Sequence, residues 1–304
     1  MNILITGGDG FIGSNLKTFL LKKNYQVVCP PLSELDIRDS DAVEKLFNGN
    51  KIDCIIHSAT VLQNNKSYTS TVCEDNLKMF FNLIKYKSDS CKLINLGSGS
   101  EYSRDYWLPN MDEEYFETHI PQDPHSFSKF ITSKYIKDSK REDLYHLRIF
   151  GIFGPNEDYK YKFISNTIAK KIFGLPIIIN KNVIYDYLYV DDFCRIVDFF
   201  VNNNTHEKIF NTTPNESCDL LSIVKIIDEI FGSNSRISIL KNGYGKEYTG
   251  NNVKLMSTMP DFEFTLLSES FRFLCNYYQA KKNTIDIESL VADNFLDYAK
   301  KINP

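Results

Sequence analysis

The sequence predicts an α/β fold in which a parallel sheet carries helices on both faces, with a smaller α/β lobe toward the C-terminus. Two observations favour the sheet: short apolar runs alternate with helical patterns through the first half of the chain, and a glycine-rich turn follows the first run. The length of 304 residues suits one large domain or two closely joined lobes. Ligands of such sheets bind beyond the carboxyl ends of the strands, so the loops there carry the functional information.

The first element is an apolar strand over residues 1–6. It leads directly into a turn with glycine at positions 7, 8, 10 and 13, and an amphipathic helix follows over residues 14–22. One glycine permits the sharp turn, another lets the backbone approach a phosphate, and a third lets helix and strand pack closely. The helix N-terminus adds free N–H groups and a partial positive charge. This order predicts a Rossmann-type doubly wound sheet that binds the pyrophosphate of a dinucleotide.

The remaining elements follow from apolar periodicity and turn residues. Strands are predicted over residues 25–29, 51–57, 92–96, 144–153, 183–190, 208–211 and 236–240. Helices are predicted over residues 40–47, 71–86, 127–136, 163–173, 191–201, 220–231 and 265–278. No repeat or low-complexity linker divides the chain. We therefore expect a dinucleotide-binding domain over residues 1–160 plus strands near 183–213, and a docked substrate-binding lobe over 161–182 and 214–304.

Composition and charge exclude several classes of partner. A formal net charge of −4 without a basic tract gives no sign of nucleic acid or an anionic membrane as a partner. Seven cysteines, an odd number, include no Cys-x-x-Cys pair, which favours a reducing compartment and argues against a disulfide framework or a metal site. The sequence shows no leader pattern and no apolar run of membrane-spanning length. We expect a cytoplasmic protein without a membrane anchor.

An ordered set of short segments carries a family resemblance. The segments are residues 5–13, 35–37, 57–59, 76, 96–102, 124–129, 147–155 and 188–192, with fainter matches at 248–250 and 260–262. In this order they resemble the extended short-chain dehydrogenase/reductases, the nucleotide-sugar epimerase/dehydratase family, and most of all its 4-keto-sugar reductases of the GDP-fucose synthase type. The resemblance implies an NAD(P)-binding sheet, a lobe for a nucleoside diphosphate sugar, and a homodimer packed through helices 71–86 and 127–136.

The resemblance also assigns ligand contacts to individual residues. The implied cofactor contacts are Gly7, Gly10, Phe11, Ile12, Gly13, Asp36, Ile37, Arg38, His57, Ser58, Ala59, Asn76 and Lys129. The implied substrate contacts are Ser98, Gly99, Ser100 and, as a lesser candidate that is usually structural or substrate-contacting, Tyr102.

Three residues match the family's catalytic positions. Ser98 would hydrogen-bond the reacting oxygen, and Lys129 would hold the nicotinamide ribose. The family's proton-donating Tyr stands four residues before that Lys, where this chain has His125. Residues one helical turn apart face the same way, so the spacing fits a shared site. Either His125 is the proton donor, as neutral imidazole or as an imidazolium that forms when charge builds on the substrate, or another group or water replaces it.

The residues that this chain lacks narrow the reaction. Dehydratases of this family carry an acidic pair directly after the catalytic Ser or Thr, where this chain has Gly99 and Ser100. Fucose synthase has a Cys at the position of Ser100, and a serine hydroxyl is a far poorer carbon acid or base than a thiol. The reaction that remains after these two exclusions is simple reduction of the C4 ketone of a nucleotide sugar, and GDP is the expected nucleotide. The alternatives are a 4-epimerase that keeps its NAD bound and a dinucleotide-binding protein that has lost its chemistry.

The choice of coenzyme depends on the end of the second strand. NAD enzymes usually place an acidic residue there for the ribose hydroxyls, but here Cys29 is followed by two prolines, and the first acid is Glu34. The nearest basic residue is Arg38. The missing acid favours NADPH, with NADH as the alternative. Lys170, Lys171 and Lys181 are the candidates for neutralising the substrate diphosphate.

Overall fold

The computed structural model describes residues 1–61 and 70–302. The strands are β1 (Asn2–Thr6), β2 (Gln26–Val28), β3 (Cys54–His57), β4 (Lys92–Ser98), β5 (Leu144–Ile149), β6 (Gly151–Phe153), β7 (Ile177–Asn182), β8 (Ile184–Tyr185), β9 (Tyr187–Tyr189), β10 (Ile209–Thr212), β11 (Cys218–Asp219) and β12 (Ile237–Tyr244). The helices are α1 (Phe11–Lys22), α2 (Ser40–Gly49), α3 (Val72–Tyr86), α4 (Pro124–Asp138), α5 (Phe163–Ile172), α6 (Val190–Asn202), α7 (Leu220–Phe231), α8 (Val253–Thr258), α9 (Leu267–Ala280), α10 (Ile287–Val291) and α11 (Asn294–Ile302).

A six-stranded parallel sheet forms the first lobe, in the order β10-β5-β4-β3-β1-β2. Successive residues of β1 serve its two faces, as the pleat requires. Ile3 and Ile5 pack in a cluster with α1 and α6, whereas Leu4 packs in a cluster with α3. Because both faces are covered, the central strands are continuous apolar runs. The predicted Rossmann-type α/β class is confirmed.

A separate apolar cluster forms the second lobe. Ile168 of α5, Ile223 of α7 and Phe271 of α9 pack there with Ile177 of the parallel pair β7–β12. Two further two-stranded pairs stand outside the main sheet, β6 with β9 and β8 with β11. The first pair joins residues 151–153 to 187–189, and the second joins residues 184–185 to 218–219. The division into the two predicted residue ranges stays a prediction.

The structure corrects three sequence-based expectations. The strand predicted over 144–153 is two strands, because the chain leaves the sheet after Ile149 and Gly151 pairs with Tyr187. A Cβ at Gly151 would lie 2.5 Å from the Asp186 carbonyl oxygen, so this pairing needs a glycine. Of the strands expected near residues 183–213, β10 joins the sheet, whereas β8 and β9 pair elsewhere. Strand β7 was not predicted, since its apolar run is only three isoleucines long and ends in polar residues.

The strand registers bring several predicted site residues to one edge of the sheet. Thr6 at the end of β1 stands beside His57 at the end of β3, and Ser98 at the end of β4 stands beside Ile149 of β5. The predicted cofactor loop and the predicted catalytic serine therefore lie at the same edge, as parallel strands require. Across residues 1–61 and 70–302, no helix has the length and apolar content to cross a membrane.

Candidate active site

The glycine-rich turn leaves an uncapped helix N-terminus. Gly7 has a φ of +70°, a conformation that favours glycine, and Gly10 is the N-cap of α1. No side chain caps this helix, and its first turn holds no acidic residue. A Cβ at Gly13 would collide with the Gly7 carbonyl oxygen, so the turn tolerates no larger residue there. The free N–H groups of the first turn, at Phe11, Ile12 and Gly13, suit a pyrophosphate, and these residues fit a bound dinucleotide.

The segment after β2 is held by ion pairs. The Arg38 guanidinium contacts the Asp36 carboxylate at 2.7 Å and the Asp75 carboxylate at 3.6 Å. Ile37 is buried in the cluster with α3, so its side chain packs in the core. Two carboxylates therefore already neutralise the charge of Arg38. The predicted contacts of all three residues with the cofactor stay predictions.

The end of β3 packs against the glycine-rich turn. The His57 Nδ1 lies 2.8 Å from the Thr6 Oγ1, which also accepts a hydrogen bond from the Ala59 N–H. Burial, with the nearby Lys129 charge, lowers the pKa of His57 to about 3, so this imidazole is neutral, and its contact with the cofactor stays a prediction. A Cβ at Gly7 would come within 2.7 Å of the Ala59 Cα, and 3.1 Å of the Ser58 carbonyl carbon. The loop after β3 therefore packs directly against the glycine-rich turn.

Asn76 connects this loop to the helix that carries Lys129. Its side-chain oxygen accepts from the Val61 N–H at 2.7 Å, and its amide donates to the Val61 carbonyl and to the Ser128 hydroxyl of α4. Asn76 is buried, so the structure places it as a positioning residue behind the predicted cofactor site.

Ser98 and Lys129 meet at the carboxyl end of β4. The Ser98 Oγ accepts from the Ser100 N–H at 3.1 Å, and the Lys129 Nζ donates to the Leu96 carbonyl, two residues before Ser98, at 2.7 Å. Burial lowers the pKa of Lys129 to about 8. Helix α4 begins at Pro124, earlier than predicted, because Asp123 caps it by accepting from the Ser126 N–H. This early start places the imidazole of residue 125 in the first turn of the helix.

His125 lies one turn before Lys129, as predicted, in a buried environment. Burial, and next the charge of Lys129, lower the pKa of His125 to about 4. At neutral pH the imidazole is therefore uncharged. This favours neutral imidazole over imidazolium between the two forms considered, while the role of His125 as a proton donor stays a prediction.

Gly99 and Ser100 leave no acid directly after the serine. A Cβ at Gly99 would lie 2.7 Å from both the Phe150 ring and the Tyr248 hydroxyl, so no side chain fits there. The Ser100 side chain is buried, and its hydroxyl has no hydrogen-bond partner among the described residues. The Tyr102 hydroxyl donates to the Asn211 side chain and accepts from Arg148, which makes it structural.

A buried charged network behind Ser98 was not predicted from the sequence. The Glu101 carboxylate accepts from the Ser98 N–H, from the His146 Nε2 and from the Arg148 Nε, each at 2.8 Å. The Asn95 amide donates to the His146 Nδ1 and so leaves the imidazole proton on Nε2. Although burial alone would raise the pKa of Glu101, these partners lower it to about 2.

Tyr248 of the second lobe reaches the same place and was also missed. Its ring stacks on Trp107 at 3.8 Å between centroids, and its hydroxyl lies next to Gly99 and interacts with the Ser98 side chain. The only sequence signal was a faint match at residues 248–250. Two of the lysines considered for the diphosphate are already paired, Lys170 with Asp293 and Lys171 with Asp228.

Sequence and structure comparisons find known proteins that are similar to this chain over most of its length. The chain is 24% identical over 268 residues to an ADP-L-glycero-D-manno-heptose-6-epimerase of Brachyspira hyodysenteriae, covering 77% of this chain and 82% of the relative. It is 25% identical over 259 residues to a dTDP-4-dehydro-6-deoxyglucose reductase of Escherichia coli, covering 74% and 80%. A crystal structure of a GDP-L-fucose synthetase from Naegleria fowleri bound to NADP superposes with a TM-score of 0.78 at 17% identity, covering 93% of this chain and 94% of that one.

A family model decides the assignment. The model of the NAD dependent epimerase/dehydratase family matches residues 3–212, which include the glycine-rich turn, Ser98, Lys129 and all of the six-stranded sheet except Asn2. The chain therefore belongs to the NAD dependent epimerase/dehydratase family, whose members are enzymes that use a nicotinamide dinucleotide.

Proposed function

We propose that this protein reduces the C4 ketone of a nucleoside diphosphate sugar with a reduced nicotinamide coenzyme, for the synthesis of a surface polysaccharide. One observation carries the proposal: Ser98 and Lys129 converge at the carboxyl end of β4, and the two residues directly after Ser98, Gly99 and Ser100, supply no carboxyl or thiol group that could move a proton on a sugar carbon. A dehydratase or an epimerase working beside the ketone needs such a group.

The nearest carboxyl group supports this restriction. Glu101 follows Ser98 by three residues, but its oxygens accept hydrogen bonds from the Ser98 backbone, His146 and Arg148. Its pKa of about 2 keeps it ionised at neutral pH, so it has no proton to give. It is also fully buried, so it is closed to substrate.

The remaining side chains fit carbonyl reduction. The coenzyme supplies a hydride when bound. The Ser98 Oγ accepts from the Ser100 N–H, so its own proton can point to a carbonyl oxygen and stabilise the charge that develops there. Lys129, with a pKa of about 8, is largely protonated at neutral pH and can bind the ribose hydroxyls. Asn76 forms hydrogen bonds to α4 and to the loop after β3, and these bonds fix the position of α4, which carries Lys129, relative to that loop.

We propose NADPH as the coenzyme and a GDP-linked sugar as the substrate. The end of β2 has no carboxylate to bind the ribose hydroxyls or to repel a 2′-phosphate, and Asp36 of the neighbouring segment is neutralised by Arg38. The likeness to GDP-linked 4-keto-sugar reductases supports the nucleotide.

A turnover assay tests the proposal. The protein is mixed with GDP-4-keto-6-deoxymannose or dTDP-4-keto-6-deoxyglucose and either NADPH or NADH, and the loss of reduced coenzyme is followed. We expect stoichiometric oxidation of NADPH with one of these sugars and slower oxidation of NADH. Copurified, tightly held NAD together with interconversion of epimers and no net consumption of coenzyme would instead establish the 4-epimerase. Binding of coenzyme without either reaction would establish a non-catalytic protein.

We also propose that the protein is a homodimer packed through α3 and α4. On the outer face of these helices, Phe81 is 38% exposed and stacks edge-to-face with Tyr135, and a cavity beside them is lined by Ile131. An apolar surface between charged residues is typical of an interface core. Light scattering after gel filtration should give twice the chain mass, and Phe81→Asp should halve it. A monomeric wild-type protein would contradict the proposal.

A further inference from the structure

The proposed reduction needs a proton for the substrate oxygen, and α4 offers a poor source. With a pKa of about 4, only about one imidazole in a thousand carries a second proton at pH 7. The neutral imidazole must instead release its N–H as an imidazolate, which is a far stronger base than a phenolate. The lysine charge one turn away further disfavours the doubly protonated ring.

A phenol approaches the catalytic serine from the other lobe. The Tyr248 side chain is 8% exposed, its hydroxyl adjoins Gly99, and it interacts with the Ser98 side chain. The absence of a side chain at Gly99 creates the space that this hydroxyl occupies.

The backbone and the ring of Tyr248 are both fixed. The Tyr248 N–H donates to the Ile184 carbonyl at 3.0 Å, and the Tyr248 carbonyl accepts from the Asp186 N–H at 3.4 Å. The ring is stacked on Trp107, and it contacts the Phe150 ring at 4.9 Å between centroids. The hydroxyl is therefore held in place before substrate arrives, which is what efficient proton transfer requires.

The charges around Tyr248 suit a donor. Burial raises the pKa of this phenol above its usual value, which keeps it protonated, while the Arg104 charge and the Ser98 contact act in the opposite direction. An alkoxide is a much stronger base than a phenolate, so transfer from the phenol remains favourable. The Arg104 guanidinium, which also lies over the Trp107 ring, would stabilise the phenolate that remains.

We propose that Tyr248 supplies the proton for the reduction by way of Ser98; this inference rests on the reductase function proposed above. As the carbonyl carbon gains hydride from the reduced nicotinamide, its oxygen takes the Ser98 hydroxyl proton. Ser98 regains a proton from the Tyr248 hydroxyl. The phenolate of Tyr248 is then protonated by water. A tyrosine of the second lobe thus performs the step for which α4 carries no tyrosine four residues before Lys129.

Steady-state kinetics with the keto sugar that the wild type reduces test the relay. Tyr248→Phe should lower kcat between about 100- and 10,000-fold, with the Kd for coenzyme unchanged, whereas His125→Phe should lower it only a few-fold. In a Ser98→Ala background, Tyr248→Phe should add almost no further loss, because the two groups act in one chain. The control is Tyr278→Phe, another buried phenol of the second lobe, whose hydroxyl donates to the Glu157 carbonyl. A Tyr248→Phe enzyme within a few-fold of wild type, or a larger loss for His125→Phe, overturns the inference.

A second measurement needs neither substrate nor the phenylalanine variant. Tyrosine labelled with ¹³C at Cζ is incorporated, and the Tyr248 signal is assigned through its contact with Trp107, the single tryptophan of the chain. Ser98→Ala should shift this signal while the Tyr278 signal stays in place. An unmoved Tyr248 signal means that the two hydroxyls are not coupled, which overturns the inference even if the chain reduces no keto sugar. A shifted signal with no turnover on any sugar supports the Ser98–Tyr248 coupling and contradicts only the proposed function.

Discussion

Replacement of Ser98 by alanine is expected to lower kcat at least about 100-fold, which is typical for removal of one donor to a developing oxyanion. The serine ends β4, and its Oγ already accepts a hydrogen bond from the Ser100 N–H, so its proton is free for the substrate oxygen. The proposed binding site of the coenzyme pyrophosphate is the separate turn before α1. We therefore expect its Kd to stay within about two-fold, as measured by quenching of protein fluorescence or by calorimetry.

Ser98→Thr is the matched control for this prediction. It keeps a hydroxyl on the same carbon, and we expect it to retain kcat within about ten-fold, since a threonine β-hydroxyl donates as a serine does. Ser98→Thr should unfold near the temperature of the wild type. Ser98→Ala loses the side chain that caps the turn at Gly99–Tyr102, so its free energy of unfolding should fall by about 1 kcal/mol. A Ser98→Ala enzyme that loses only a few-fold in kcat would show that another group polarises the carbonyl.

Local sequence was enough to predict the glycine-rich turn and the helix that carries His125 and Lys129. The turn from Gly7 to Gly13 is specified by residues a few positions apart, and its geometry follows from the absence of side chains. Likewise, the four-residue spacing of His125 and Lys129 is sufficient to place both residues on one face of a helix. Predictions of this kind hold because neighbouring residues impose them.

The surroundings of Ser98 depend on contacts between residues that are far apart in the chain. Tyr248 meets Ser98 across the two lobes, and no periodicity connects positions so far apart. His146 and Arg148 alternate with apolar residues along β5, which is buried. From sequence alone, such alternation predicts a strand whose polar face is exposed to solvent. They are buried because β10 covers the edge of β5 and α4 covers its face. Glu101 lies within segment 96–102, which resembles the family. Its role in the buried network could not be predicted, because that role depends on contacts with His146 and Arg148.

The buried network gives the largest expected effect on stability. Glu101→Gln is expected to lower the free energy of unfolding by about 3–5 kcal/mol, because the Arg148 guanidinium would stay buried without its counter-charge. Urea denaturation at pH 7 measures the change. The matched control is Glu117→Gln, which removes a carboxylate from Lys134 and Lys137 at the surface. Exposed pairs contribute little, so this control should cost at most about 1 kcal/mol.

Two further measurements would show whether the loss of stability in Glu101→Gln is caused by the unpaired charge of Arg148. Adding Arg148→Met to Glu101→Gln removes the buried, unpaired cation, so the double variant should recover part of the stability that the single variant loses.

The stability that Glu101 contributes should also depend on pH in a predictable direction. Because the folded pKa of Glu101, about 2, lies below the unfolded value of about 4.3, its contribution is complete above pH 4.3 and disappears as the pH falls toward 2. The stability difference between wild type and Glu101→Gln should therefore narrow over that interval. A difference that stays constant from pH 5 to pH 2 would mean that Glu101 is not ionised in the folded protein, and that the Ser98 N–H donates to a neutral carboxyl group.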